Sequence, residues 1–453
     1  MMASKKIWGL LLLLLITAPG WYAFQQVKRG SSAYLFGYPL VLMDMTRGSM
    51  LRSDSDANQF RHHQLFPDHT FRNVVRPNND TLYSIAWLDL REQPLVLSAP
   101  DTQGRYYVMP LMDAWSNVFA TLGKRLNGTG AAHYTITGPD WTGEVPEGTL
   151  QVASPTNMVW MIGRIQTNGR SDIPAVAALQ AQFTLTPLNR WSVRQANPVL
   201  AQAQSDTQSK QDPYDVIAQM TAVEFFSRLA ALMATQPAAA ADGPAIENLA
   251  ELGIVPGQPF DTEQLNGLDQ FLLNQALKLT RAGIKRKLEG DRPLENSWLV
   301  QRDTIGSYGT NYPVRAAVAS FGLGALPPAE AAYPNTTLDS AGRPLNGEHG
   351  YRLHFEKGET PPGKAFWSLT LYDETGFLVD NPLQRYTLGD RDSLTYNADG
   401  SLDILVQHTA PAANTTNWLP APKGKFALTM RIYAPQQRFL DGSWTLPSVE
   451  RVN

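Results

Sequence analysis

Between Thr81 and Trp160, apolar and polar positions alternate with a period of two through short runs: TLYSIAWLDL, PLVLSAP, RYYVMPLMDAWSNVFA, HYTITGP, LQVASP and NMVWMIGRI. That period predicts half-buried β-strands, each with one face toward a core. Between PLVLSAP and RYYVMP stands DTQG, Asp101 to Gly104, where the aspartate closes a turn with its side chain and the glycine takes the left-handed position of a bulged hairpin. The same signal recurs as Asp339 to Gly342, Asp373 to Gly376 and Asn397 to Gly400. Antiparallel hairpins are therefore expected at both ends of the chain.

The pattern changes at Ser171-Asp172-Ile173-Pro174, a capping side chain ahead of a proline. Val216, Met220, Val223, Phe226 and Ala230 then fall at helical spacing, as do Leu268, Leu272, Ala276 and Leu279. The Ala-rich stretch from Pro237 to Ala241 reads as a connector. After Pro293 the β pattern returns, clearest in FWSLTLYD, GFLVD, DILVQHTA and FALTMRIYAP. The order is β, helical, β.

The N-terminus reads differently. Lys5 and Lys6 precede an uncharged, apolar stretch from Ile7 to Phe24 that contains Leu10 to Leu15, with no further charge until Lys28. This is the layout of an export signal. Residues 1–24 are expected either to be removed, with small residues at Ala18-Pro19-Gly20, or to remain as an anchor that ties the chain to the inner membrane. The expected location is the periplasm or another exported compartment.

Composition narrows the function. In 453 residues, 38 Lys and Arg face 41 Asp and Glu, a net charge of -3 that supplies no field for a nucleic-acid backbone. The absence of cysteine excludes disulfides, thiolate nucleophiles and Cys-ligated metals. Charged residues are 17%, against about 25% in a typical domain, while 34 Gly, 32 Pro, 11 Trp, 16 Tyr and 17 Phe suit turns and β-rich packing. There is no phosphate loop, Gly-x-Gly-x-x-Gly or Gly-x-Ser-x-Gly, so neither a cofactor nor an α/β-hydrolase triad is expected.

Val75-Arg-Pro-Asn-Asn-Asp-Thr-Leu-Tyr-Ser84, Trp87-Leu-Asp-Leu90 and Gly104-Arg-Tyr-Tyr107 resemble the first of two paired families of unknown function, DUF1254 and DUF1214. The second is resembled by Ala365 to Asp373, Asn381 with Arg385-Tyr386, Asp399 to Asp403, Asn417 to Pro422 and Arg431-Ile-Tyr433. The resemblance spans roughly residues 35–450. It implies an immunoglobulin-like β-sandwich over 35–170, an α-helical connecting region over 171–292 and a jelly-roll-like β-sandwich over 293–453. It implies no activity and no catalytic residue.

Candidate chemistry therefore rests on the residues. Arg76-Pro77-Asn78-Asn79-Asp80 packs polar groups ahead of a strand, with Tyr83 just inside it. Read as one strand, the run after Gly104 puts Tyr107, Met109, Leu111, Asp113, Trp115 and Asn117 on one face. A carboxylate there needs a partner, for which Arg76 and Arg125 are available. If Asp80 and Asp113 converge, they form an acid and base pair of the kind that cleaves glycosides. The alternative is that the Asn and Asp side chains close turns and Asp113 makes a buried ion pair. In the C-terminal half, Trp367, Arg385, Trp418 and Arg431, with Tyr386 and Tyr433, offer flat faces and forked cations for a sugar ring or a carboxylated ligand, or else simply pack. His62, His63, Asp68 and His69 stand too close along one segment to converge readily on one ion, so no metal site is expected. Three functional classes stay open: an exported protein binding a small polar or carbohydrate-like ligand, a carboxylate-dependent hydrolase or lyase, and a structural envelope protein.

Overall fold

The computed structural model describes residues 18–72, 75–191, 211–260, 263, 265–289 and 294–452. The chain is mostly β, with a helical region over 213–284. The N-terminal strands are β1 (Arg61–His62), β2 (Thr81–Asp89), β3 (Leu95–Ala99), β4 (Tyr107–Asp113), β5 (Val118–Gly123), β6 (Ala132–Thr137), β7 (Leu150–Ala153), β8 (Met158–Gln166) and β9 (Thr184–Pro187). They make a five-stranded sheet, β1-β2-β8-β4-β5, and a four-stranded sheet, β7-β6-β3-β9. Period-two alternation decides what faces what. Leu82, Ala86, Leu88, Met109, Leu111, Val159 and Met161 of the first sheet meet Leu95, Leu97, Tyr134 and Ile136 of the second in one core. The two sheets form a sandwich.

The opposite face of β2 and β8 carries Ile85, Trp87, Trp160 and Ile162, which pack on helices. These helices are α1 (Ala18–Met50), α3 (Pro213–Gln219), α4 (Ala222–Met233), α5 (Gly243–Ala250), α6 (Gly267–Glu289) and α7 (Tyr312–Gly322); a separate short helix, α2 (Ile173–Gln180), lies against β2. Helix α1 runs through the middle of the body, with Tyr34, Phe36, Leu40, Val41, Leu42 and Met43 buried. Gly37 permits its closest approach, since a Cβ there would lie 2.4 Å from a Leu229 methyl.

Several expectations require correction. Residues 35–50 belong to α1 in the helical body rather than to the N-terminal sandwich, and α7 carries that body past residue 293. Of the stretch from Ile7 to Phe24, the part up to Thr17 lies outside the described residues; Ala18–Phe24 begins α1, and no described helix is long and apolar enough to cross a membrane. Met220 breaks the expected single helix, because the Thr221 hydroxyl and the Glu224 carboxylate close a capping box that starts α4 afresh. Gly104, Gly342, Gly376 and Gly400 all take positive φ as the turn signal requires. Yet DTQG joins no hairpin: β3 and β4 lie in different sheets, so this turn carries the chain from one layer to the other. GFLVD forms no strand.

The C-terminal strands are β10 (Leu294–Glu295), β11 (Trp298–Leu299), β12 (Ala331–Ala332), β13 (Asn335–Thr336), β14 (Gly350–Phe355), β15 (Gly363–Asp373), β16 (Thr387–Gly389), β17 (Leu402–Gln407), β18 (Trp418–Pro420), β19 (Phe426–Pro435) and β20 (Val449–Val452). A larger sheet built on β15 and β19 packs face to face with β18-β17-β14-β20. The shared core holds Trp367, Leu369, Leu371, Leu428, Met430 and Ile432 against Leu353, Phe355, Ile404 and Val406. The outward face of β15 and β19 is polar: Ser368, Thr370, Tyr372, Thr429, Arg431 and Tyr433, all buried.

Candidate functional site at the sandwich junction

A buried polar face needs partners, and the segment Arg76 to Asp80 with the adjoining end of β2 and β8 supplies them. Asp80 is wholly buried. Its carboxylate accepts the Ser368 hydroxyl at 2.7 Å and pairs with the Arg391 guanidinium, which also donates to the carbonyls of Asp80 and Thr167 at 3.1 Å. Arg391 lies 4.3 Å over the Phe366 ring. Beside it, burial pushes the Asp390 carboxyl up to about 6.

Arg431 is buried as deeply, but its guanidinium donates only to neutral groups: the Thr370 hydroxyl at 2.7 Å, the Tyr372 hydroxyl at 2.6 Å and the Arg76 carbonyl at 3.1 Å. Tyr372 in turn donates to the Pro77 carbonyl. Arg164, also buried, donates to the carbonyls of Ile162 and Gly324 and faces the Tyr83 ring. Among the described residues neither Arg164 nor Arg431 has a carboxylate within 4.0 Å. The Asn78 amide reaches the hydroxyls of Tyr433 at 2.9 Å and Tyr83 at 3.3 Å, stitching the two sandwiches together. Burial raises the Tyr433 phenol strongly, so it stays protonated. The Asn79 Oδ1, Arg391 Nε and Thr429 Oγ1 atoms are buried without a hydrogen-bond partner among the described groups, although Arg391 Nε stands 3.9 Å from the Asp390 carboxylate. Beside Arg76, whose carbonyl Arg431 holds, a separate surface cleft of about 210 Å³ is lined by Arg76, Lys425, Asp373, Glu374 and Phe426. A larger groove of about 570 Å³ runs past Arg105, but Arg105 is already paired with Asp172.

The sequence-derived candidates separate into groups. Asp80, Arg76, Asn79, Tyr83 and Arg431 come together here. Asp113 and Asn117 do not. Thr81 pairs with Gln166, so Asp80 lies level with Thr167, and Asp113 pairs with Val159, which puts the two acids about eight residues apart along the line of β8, about 26 Å at roughly 3.3 Å per residue. The proposed carboxylate pair is thereby ruled out, because glycoside cleavage needs its carboxyl groups within about 10 Å. Asp113 closes the β4–β5 hairpin instead: its Oδ1 accepts the backbone N–H of Trp115 and Asn117, and Ser116 takes φ 67. The run RYYVMPLMDAWSNVFA is thus two strands, and Asp, Ser and Asn in DAWSN are the turn signal that reveals it. Burial pushes the Asp113 carboxyl up to about 6, with Arg315 as its cationic neighbour rather than Arg76 or Arg125. Arg125 pairs with buried Glu330, which also accepts the Tyr106 hydroxyl. Trp367 is core; Arg385 holds the carbonyls of Thr415 and Trp418, and the Trp418 indole donates to Gln407. Those three stabilise the C-terminal sandwich and lie apart from the junction. His62 bonds Ser84, and His69 bonds Tyr386. Sequence reasoning missed Arg391 and Arg164; only the charge cluster Asp390-Arg391-Asp392 hinted at the first.

Sequence comparison matches residues 57–187 to the family described as protein of unknown function (DUF1254) and residues 330–437 to protein of unknown function (DUF1214). The junction joins the two matched regions, with Asp80 and Arg164 in one and Arg391 and Arg431 in the other. No curated protein matches. The crystal structure of the VPA0106 protein from Vibrio parahaemolyticus covers 94% of this chain and 100% of its own, with a TM-score of 0.71 at 23% identity. That likeness establishes a shared fold. An uncharacterised protein from Burkholderia cenocepacia covers 97% of this chain and 98% of its own, at a TM-score of 0.44 and 14% identity.

Proposed function

The chain belongs to the two-domain DUF1254/DUF1214 family of unknown function, and from that premise we propose that it is an exported protein that binds a small, acidic, carbohydrate-like ligand at the junction of its two sandwiches. One observation carries the reading: the junction buries more guanidinium than carboxylate. Asp80 and, at 3.9 Å, Asp390 answer Arg391, while Arg431 and Arg164 meet only hydroxyls, carbonyls and a ring. Burying a cation without a counter-charge is costly, and an anionic group brought in by a ligand offsets that cost through charge-assisted hydrogen bonds. Tyr83, partly exposed, adds a flat face and a hydroxyl suited to a sugar ring. The nearest surface cleft bears two cations, Arg76 and Lys425, and through the Arg76 backbone it adjoins this cluster. Export rests on Lys5, Lys6 and the leucine run.

The test is thermal shift and calorimetry of the full chain against matched pairs, a uronic acid and its neutral parent sugar. The acid is expected to raise the melting temperature and the neutral sugar to leave it unchanged. Arg76→Met, which leaves the buried network in place, is expected to weaken binding of the acid at least tenfold. Equal responses to both sugars, or undiminished binding by Arg76→Met, would refute the reading. Fractionation is expected to find the protein outside the cytoplasm.

A further inference from the structure

Helices α1 and α6 run parallel and in register. The Tyr22 hydroxyl donates to Asp269, a Cβ on Gly30 would lie 2.9 Å from the Ala276 Cβ, and Arg281 donates to the Tyr34 hydroxyl. Their N-terminal ends are therefore level. At that level four large apolar side chains stand in solvent: Trp21 at 55%, Phe24 at 45%, Leu268 at 55% and Phe271 at 57% exposure. At about 100° per residue, Trp21 and Phe24 turn well away from the seam marked by Tyr22, and Leu268 and Phe271 turn equally far from Asp269. The four thus project from opposite flanks of the helix pair, within a band about 4.5 Å deep along the axis.

This is a collar around the end of a helix pair, not a stripe along it. Its acid, Asp269, is buried and takes the Tyr22 hydroxyl, so no carboxylate of the seam faces outward. On one side of the collar the sequence continues uncharged back to Ile7; on the other, Lys28 follows one turn beyond Phe24. Apolar chain, then aromatic residues, then base is the order found where a helix crosses from hydrocarbon to headgroups. Lys28 there meets anionic headgroups.

We infer that the paired N-terminal ends of α1 and α6 meet a lipid bilayer end-on, with Trp21, Phe24, Leu268 and Phe271 at the headgroup level. The leading segment is then one of two membrane contacts, and α6 supplies the other. The inference goes beyond ligand binding and does not depend on it.

The chain has no cysteine, so single cysteines take an environment-sensitive fluorophore cleanly. The full chain is labelled at Phe24→Cys, Phe271→Cys, Leu279→Cys and, in the C-terminal sandwich, Tyr396→Cys, then mixed with vesicles of phosphatidylethanolamine and phosphatidylglycerol. Leu279 is exposed but about 12 Å farther along α6 than Phe271. Labels at 24 and 271 are expected to blue-shift, brighten several-fold and be quenched by spin-labelled lipid, while 279 and 396 stay aqueous. A response at 24 alone leaves the contact to α1 and overturns the paired collar. Equal responses at 271 and 279 mean that α6 lies flat and overturn the end-on geometry. A blue-shifted label at 271 before vesicles are added, lost when residues 2–17 are deleted, means that the chain covers its own collar and overturns the inference. Because vesicles replace the cell, the outcome is independent of whether the protein is exported or binds sugar acids.

Discussion

Each end of the sheet formed by β2, β8 and β4 buries an aspartate, and the two ends treat it in opposite ways. At the Asp113 end the outer face is apolar, with Trp87 and Trp160 stacked at 4.9 Å under the helices. The acid is held by backbone N–H groups of its own hairpin, and burial raises its carboxyl to about 6. At the Asp80 end the same face meets a second polar sheet, and the acid is held by Arg391 and Ser368, each from the other sandwich. A buried carboxylate is thus a turn element at one end and a link between sandwiches at the other. The neighbours that the fold brings, not the residue type, decide which.

The comparison breaks most readily at Asp80. Asp80→Ala leaves the Arg391 guanidinium with only the Asp390 carboxyl, 3.9 Å from its Nε, and is expected to cost about 3 kcal/mol in chemical denaturation. Adding Arg391→Met is expected to recover much of that loss, since removing both charges is far milder than removing one. A loss below about 1 kcal/mol for Asp80→Ala would mean that the junction is hydrated and that its two ends are alike.

Asp113 sharpens the contrast through pH. Its folded carboxyl titrates near 6, against about 3.9 unfolded. A raised carboxyl stabilises the fold below the unfolded value, and that contribution is lost as pH rises through the folded one. Relative to Asp113→Asn, whose amide oxygen still accepts the hairpin N–H groups, the native protein is expected to lose up to about 3 kcal/mol between pH 4 and pH 7. Paired denaturation curves at the two pH values measure this difference. A flat difference would mean that Arg315 neutralises Asp113 as fully as Arg391 does Asp80.

The smallest effect lies among the junction hydroxyls. Thr370 Oγ1 accepts from Arg431 and donates to Thr387, whereas Thr429 Oγ1 is buried without a partner among the described groups. Thr370→Val is expected to cost about 1–3 kcal/mol and Thr429→Val to fall within about 0.5 kcal/mol of neutral. A costly Thr429→Val would place a bound polar group next to that hydroxyl.

Features set by neighbouring residues were legible in the sequence. Period-two runs became strands because alternation puts one face in a core whatever sheet is joined. Asp and Asn with Gly became left-handed turns because the bond and the φ are local, as Gly104 and Gly400 show. The β, helical, β order and the family followed from those runs and motifs. The tertiary structure decided which turns close hairpins, that residues 35–50 form a central helix, and which charges meet. Arg391 reaches Asp80 across 311 residues and Arg431 reaches the Arg76 carbonyl across 355. No periodicity encodes such contacts: they arise only when two sheets, each folded around its own core, bury their remaining faces against each other, and every polar group trapped between them must then bond to whatever stands opposite.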